Sequence, residues 1–148
     1  MSRAVDKPQI SITHAEDRDS LSGCHPVMVQ LRPHLTTDDF VTQSLRQMQD
    51  GYRLARAEVA GKVVALAGYR IMENLAWGRF LYVDDLVTAE GARSHGVGAA
   101  IFDFLVRTAR EAGCAELHLD SGVQRFGAHR FYFAQRMAIT SYHFAMKL

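Results

Sequence analysis

The clearest patterning in the chain runs from Leu81 to Ala112. Apolar and β-branched positions (Leu81, Tyr82, Val83, Leu86, Val87) give way to a polar stretch from Thr88 to His95. Apolar positions then recur at Val97, Ala100, Ile101, Phe104, Leu105, Ala109 and Ala112. The first run predicts a strand and the last spacing a helix, with Asp103, Arg107, Arg110 and Glu111 on its wet face. Gly113 stands where a left-handed residue closes such a helix.

The flanking segments extend this strand, loop and helix in both directions. Ile10 and Ile12 alternate with polar neighbours in Gln9 to Thr13, a short first strand. From Ala15 to His34, Gly23, Pro26 and Pro33 predict one or two short helices broken by loop. Thr36 or Thr37, followed by Asp38 and Asp39, makes a good helix cap, and Phe40, Val41, Ser44, Leu45 and Met48 give that helix an apolar face ending near Gly51. Tyr52 to Val59 and Val63 to Ile71, around Ala60-Gly61-Lys62, predict a hairpin. Gly68 marks a bulge or a close backbone approach within it. After the main helix come a strand at Glu116 to Asp120, a short helix at Ala128 to Gln135 and a terminal strand at Ile139 to Met146. That last strand has apolar groups on both faces and needs cover, either from its own sheet or from a second copy. The succession predicts one α/β domain over residues 1–148, a mixed, mostly antiparallel β-sheet with helices on both faces.

Composition narrows the function. A formal net charge of +1, with no lysine or arginine run, gives no nucleic-acid signal. Cys24 and Cys114 lie far apart without a CxxC, as in reduced cytosolic proteins, and the seven histidines show no HxxxH or HExxH spacing for a metal. No long apolar run or secretory h-region is present, so a soluble, cytoplasmic protein without membrane association is expected.

The polar stretch carries the chemistry. Arg93-Ser94-His95-Gly96-Val97-Gly98-Ala99 sets a cation and two glycines at a helix N-terminus, where free N–H groups and the positive dipole end receive a phosphate. A nicotinamide-nucleotide reading shares the GxG of Gly96-Val97-Gly98 and has Asp120 as a ribose acid. Ile101 replaces its third glycine, however, the loop is too long, and too little chain follows for a second βαβ half. GK(S/T) is absent, which excludes a P-loop.

LVTAEGARSHGVG resembles motif A of the GNAT superfamily of acetyl-CoA-dependent N-acetyltransferases, in which an apolar strand and a loop lead into (Q/R)xxGx(G/A) at a helix start; Arg93, Gly96 and Gly98 match. AHRFYFAQRM is similar to the family's second signature through Ala128, Phe131 and Tyr132, while Arg125 and Arg136-Met137 stand where the family usually has Asn and Gly-Phe. The resemblance implies that acetyl-CoA, as co-substrate, is held by Leu86, Val87 and Thr88 of the strand and by Arg93, Ser94, His95, Gly96, Val97, Gly98 and Ala99 of the loop. It implies an acceptor pocket shaped by the first helical pair, where Arg32 and His34 could touch substrate, and it suggests a homodimer.

Asp84 and Asp85 sit side by side in an otherwise apolar strand, and on a regular strand they would point to opposite faces. By the resemblance, Asp84 is the catalytic base acting through water and Asp85 an orienting or structural carboxylate. An ammonium must lose a proton before it can attack a thioester, and the leaving thiolate benefits from an acid; Tyr132 is the expected donor. The acceptor is an amine of a small molecule or of a protein. A non-catalytic acyl-CoA sensor on the same fold is the competing reading.

Overall fold

The computed structural model describes residues 9–93 and 95–148. Its contacts divide it into two compact units, one running to His118 and the other from Leu119. In chain order the elements are β1 (Ile10–His14), α1 (Arg18–Leu31), α2 (Thr37–Met48), β2 (Arg53–Val59), β3 (Lys62–Asn74), β4 (Gly78–Thr88), α3 (Val97–Glu111), β5 (Glu116–Leu119) and α4 (Phe126–Ala134).

The five strands form one sheet in the order β1-β2-β3-β4-β5. Neighbours from β1 to β4 pair antiparallel. The α3 crossover then returns the chain so that the Ala115 N–H donates to the Arg79 carbonyl at 2.8 Å, starting β5 beside the start of β4 and making the sheet mixed. Trp77 stacks on His118 with ring centroids 3.7 Å apart, pinning β5 to the β3–β4 turn.

Alternation along β3 assigns the two sheet faces. Leu66 packs with Leu21, Cys24, Val27 and Met28 of α1 and with Phe40 and Val41 of α2, so Leu66, Gly68 and Arg70 look toward α1 and α2. Tyr69 looks the other way, where it bonds to the His14 ring at 2.9 Å, and His14 rests on Phe104 of α3. The expected helix-covered sheet is therefore present on both faces of the first unit.

Helix α1 corrects the expectation of a break at Gly23 and Pro26, because it runs unbroken with Pro26 inside it. A mid-helix proline costs about 3 kcal/mol, whereas burying a Leu-, Val- or Met-sized side chain contributes about 1.5–3 kcal/mol. Leu21, Cys24, Val27 and Met28 bury together, and Asp17 with Ser20 closes a reciprocal capping box. The stripe outweighs the proline. Helix α2 begins as expected, with the Thr36 hydroxyl accepting from the Asp39 N–H at 3.1 Å.

In the second unit, α4 ends where Arg136 adopts the left-handed conformation, φ +65°. The Arg136 N–H donates to the Phe133 carbonyl and the Met137 N–H to the Tyr132 carbonyl, a Schellman closure built on arginine where glycine is usual. The expected terminal strand at Ile139 to Met146 does not form within the chain: no regular structure follows the turn at Arg136. A period-two pattern shapes a strand only when another backbone is there to pair with it. No helix among the described residues is long and apolar enough to cross a membrane.

Candidate functional site

Strand β4 delivers the chain to the loop. Leu86, Val87 and Thr88 pair with Ala67, Leu66 and Ala65 of β3, and the Ala89 N–H donates to the Val64 carbonyl at 2.7 Å. A 3-10 turn (Glu90–Ala92) follows, tied to α1 by the Glu90 N–H donating to the Gln30 amide oxygen at 3.0 Å. Arg93 is extended and exposed, as is the side chain of His95. The expectation for Ser94 lies outside the described residues. Gly96 precedes α3 at φ +77°, a conformation costly for any residue with a Cβ, and no side chain caps the helix. Among the described residues no acceptor is given for the first-turn N–H groups of Val97, Gly98 and Ala99, which lie close in sequence to the Arg93 cation. A helix start of this kind can receive an anion.

The two aspartates depart from regular strand geometry. Asp85 pairs with Gly68 and Val83 with Tyr69, so Asp84 is the extra residue of a β-bulge. The bulge overturns the expectation of opposite faces. Asp84 accepts from Arg70 Nε at 2.9 Å and Asp85 accepts from the Tyr52 hydroxyl at 2.8 Å, both on the face turned toward α1 and α2. Arg32 clamps the bulge from the end of α1, with Nε donating to the Asp85 carboxylate and Nη2 to the Asp84 carbonyl, each at 3.0 Å.

Two residues of this network, Tyr52 and Arg70, were not singled out as functional from the sequence. Tyr52 is fully buried, its ring lying 5.6 Å beneath the Arg70 guanidinium. Burial, with the nearby Asp85 carboxylate, pushes the Tyr52 phenol well above its ordinary value, so it stays a proton donor. Desolvation also raises Asp84 above the ordinary 3.8, against the pull of Arg70. A cavity of about 250 Å³ opens beside the network, with Asp85, Arg32, Tyr52, His34, Gln43 and Gln47 in its wall. Asp85 lines it together with the two α1–α2 residues that the resemblance had brought forward. Among the described residues no cluster of His, Cys, Asp and Glu could hold a metal ion.

Within the second unit, Tyr132 lies near the end of α4, half-buried, with its phenol raised chiefly by desolvation and eased back by Arg125. Phe131 stands edge-on to its ring, centroids 5.9 Å apart.

Comparison with known proteins identifies the fold and the family. The chain is 30% identical over 124 residues, 83% of its length and 87% of the other's, to the uncharacterised N-acetyltransferase YhdJ of Bacillus subtilis (strain 168). Its fold is similar to that of the aminoglycoside N-acetyltransferase AAC(6')-Iy in complex with CoA, with a TM-score of 0.85, 14% identity and 99% of each chain covered. It is also similar to the ribosomal-protein-alanine N-acetyltransferase from Brucella melitensis biovar Abortus 2308, with a TM-score of 0.82 and 16% identity over 95% of this chain and 99% of that one. Residues 18–137 match the Acetyltransferase (GNAT) family, and the chain belongs to it.

Proposed function

We propose that the protein transfers the acetyl group of acetyl-CoA to an amine, by direct attack within a ternary complex. The observation that carries this reading is the β4 bulge, which sets Asp84 and Asp85 on the face where the cavity opens, a few residues before the uncapped start of α3. Arg93 and the amides of residues 95–99 would hold the diphosphate, and the backbone of Leu86, Val87 and Thr88 the acyl arm. The acceptor amine, of a small molecule or a protein, enters from the α1–α2 cavity with its ammonium turned to Asp85. Family membership sets aside the nicotinamide reading, and the unpaired Cys24 and Cys114 favour a reducing, cytoplasmic setting.

In the reaction, Asp84 takes a proton from the ammonium through water, and the freed lone pair attacks the thioester carbonyl. The C–N bond forms, negative charge gathers on the carbonyl oxygen near the Leu86–Val87 backbone, and the C–S bond breaks as the Tyr132 phenol protonates the leaving thiolate. Desolvation raises the proton affinity of Asp84, which suits a base, while Arg32 and Tyr52 both donate to the Asp85 carboxylate and fix its position to orient a cation. The competing reading, a non-catalytic acyl-CoA module, draws on the arginine partner of each carboxylate. An acceptor screen read by release of free CoA decides between them: turnover with any amine establishes the enzyme, and acetyl-CoA binding with no release across small amines, amino acids and peptide N-termini establishes the module.

A further inference from the structure

The cavity between α1, α2 and β4 selects its occupant through charge. Arg32 and Asp85 are the two fixed charges in its wall, and they are bonded to each other at 3.0 Å. His34 beside them can add positive charge and never negative. An acceptor with several positive charges therefore meets a single carboxylate that already faces a cation, which makes a poor counterion. Each member of the pair still has capacity for a ligand. Asp85 receives Arg32 on one oxygen and Tyr52 on the other, and each oxygen keeps a second lone pair. Arg32 commits two of its five N–H groups to Asp85 and to the Asp84 carbonyl, and its side chain is 41% exposed in the cavity wall. The segment that carries it is held in place: the Arg32 N–H donates to the Met28 carbonyl at 2.8 Å, the Leu35 N–H to the Arg32 carbonyl at 3.2 Å, and the His25 ring bonds the Leu35 carbonyl at 2.8 Å. A cation fixed in this way gives up little freedom on binding.

Resting on the acetyl-transfer reading of this same site, the geometry points to a free α-amino acid with an uncharged side chain as the acceptor, its ammonium on Asp85 and its carboxylate on Arg32. An ammonium and a carboxylate borne on one carbon stand about as close together as Asp85 and Arg32 do, so the two pairs meet with unlike charges opposed. A guanidinium is also the cation best shaped for a carboxylate. The rest of the wall takes the side chain. Met28, Leu35 and Phe40 are apolar, and Gln43 Nε2 donates to Gln47 Oε1 at 2.8 Å, so that pair offers amides and no charge. At about 250 Å³ the cavity lies below the about 300–1,000 Å³ of sites for drug-sized ligands, which suits a single amino acid and not a multi-ring polyamine. A peptide N-terminus is the weaker occupant, because the carbonyl after its amine belongs to an amide and brings no charge to Arg32.

CoA release from acetyl-CoA tests the proposal, with leucine, methionine, phenylalanine and glutamine each compared with its own amide, and with cadaverine as the dication. The expected result is a kcat/KM at least about tenfold higher for one or more of the acids than for the matching amide, with cadaverine no better than the amides. Intrinsic reactivity works against that result, because an amino acid amide sheds its ammonium proton more readily than the amino acid does. Arg32→Gln should bring the ratio of acid to amide close to one, whereas damage to the bulge alone would lower both substrates together and leave the ratio standing. A wild type that uses the amides or cadaverine as well as the acids, or an Arg32→Gln protein with the wild-type ratio, would overturn the proposal and leave acetyl transfer in place. If no amine releases CoA, the acetyl-transfer reading fails by itself, and calorimetric titration of the same pairs into the CoA-saturated protein decides. Acids that bind about tenfold tighter than their amides, and lose that margin in Arg32→Gln, uphold the proposal; equal or absent binding overturns it.

Discussion

Gly68→Ala reads out how the site is packed. A Cβ built on Gly68 would lie 2.0 Å from the Tyr52 hydroxyl oxygen and 2.6 Å from its Cζ, well inside van der Waals contact. The three nearest atoms all belong to this one side chain. A flexible surface side chain would swing aside at little cost, but Tyr52 is 2% exposed, packed among α1, α2 and β2, and fixed at its tip by Asp85. The ring must move, and moving it breaks the hydrogen bond to a half-buried carboxylate. Overpacking a core costs about 1–3 kcal/mol. Leaving a buried polar group without its partner costs about another 1–3 kcal/mol. A loss near 4 kcal/mol is expected, and at about 2–4 °C per kcal/mol for a chain of this size the melting temperature should fall by about 10 °C. The assay is thermal and urea unfolding of Gly68→Ala, alone and combined with Tyr52→Leu. In the Tyr52→Leu background the alanine finds room, so its added penalty should drop below about 1 kcal/mol, giving a coupling that accounts for most of the effect. A Gly68→Ala protein that melts within about 2 °C of wild type, or one whose penalty is undiminished in the Tyr52→Leu background, would refute the close-approach reasoning.

The sequence made the elements legible wherever one face is buried. Thr36 with Asp39, the stripe of α3 and the hairpin around Ala60-Gly61 follow from capping, the 3.6-residue period and turn chemistry, and all three form. Helix α1 was misread because proline and glycine act locally, whereas what holds the helix together is contact with Leu54 and Leu66 of the sheet and with Phe40 of α2, far away in the chain. The tail misleads in the opposite sense. Its alternation is local and genuine, and the sheet edge it needs is not supplied by pairing within this chain.

The site divides in the same way. Arg93, Gly96 and Gly98 are contiguous, so their spacing was readable. The aspartate network is assembled from α1, β2, β3 and β4, and no local pattern joins Tyr52 or Arg70 to Asp85 and Asp84. One signal was available: Arg70 is a lone cation in the apolar run VVALAGYRI, and the acid pair of LYVDDLV is its counterpart in the next strand. A charge within an apolar strand requires a partner, and pairing those two runs as a hairpin brings the charges together.

The remaining predictions concern ligand binding and chemistry. Acetyl-CoA, but not NAD or ATP, should raise the melting temperature, by about 2.7 kcal/mol of stabilisation at a hundredfold excess over Kd, and Gly98→Glu should abolish that shift; stabilisation by NAD in place of acetyl-CoA would remove the assignment of the α3 terminus. Tyr132→Phe removes one proton and keeps the ring, so kcat should fall about a hundredfold with unchanged acetyl-CoA affinity and melting temperature; near-normal turnover would make Tyr132 a packing aromatic. Asp84 is read through pH. Desolvation outweighs Arg70 and leaves its folded-state pKa above the ordinary 3.8, so the folded protein holds this proton more tightly than the unfolded chain does. Its contribution to stability is therefore fully present below 3.8 and is lost as pH rises through the folded value. Catalysis runs the other way, since only the ionised carboxylate can accept a proton. The acidic limb of kcat/KM should have its midpoint above 3.8, in the pH range where the Asp84 contribution to stability is being lost. Asp84→Asn keeps an oxygen for the Arg70 Nε–H and deletes the base, so kcat/KM at neutral pH should drop by a hundredfold or more and that limb should disappear. A variant whose profile superposes on the wild type would make Asp84 the structural partner of Arg70 and move the base to Asp85 or to water.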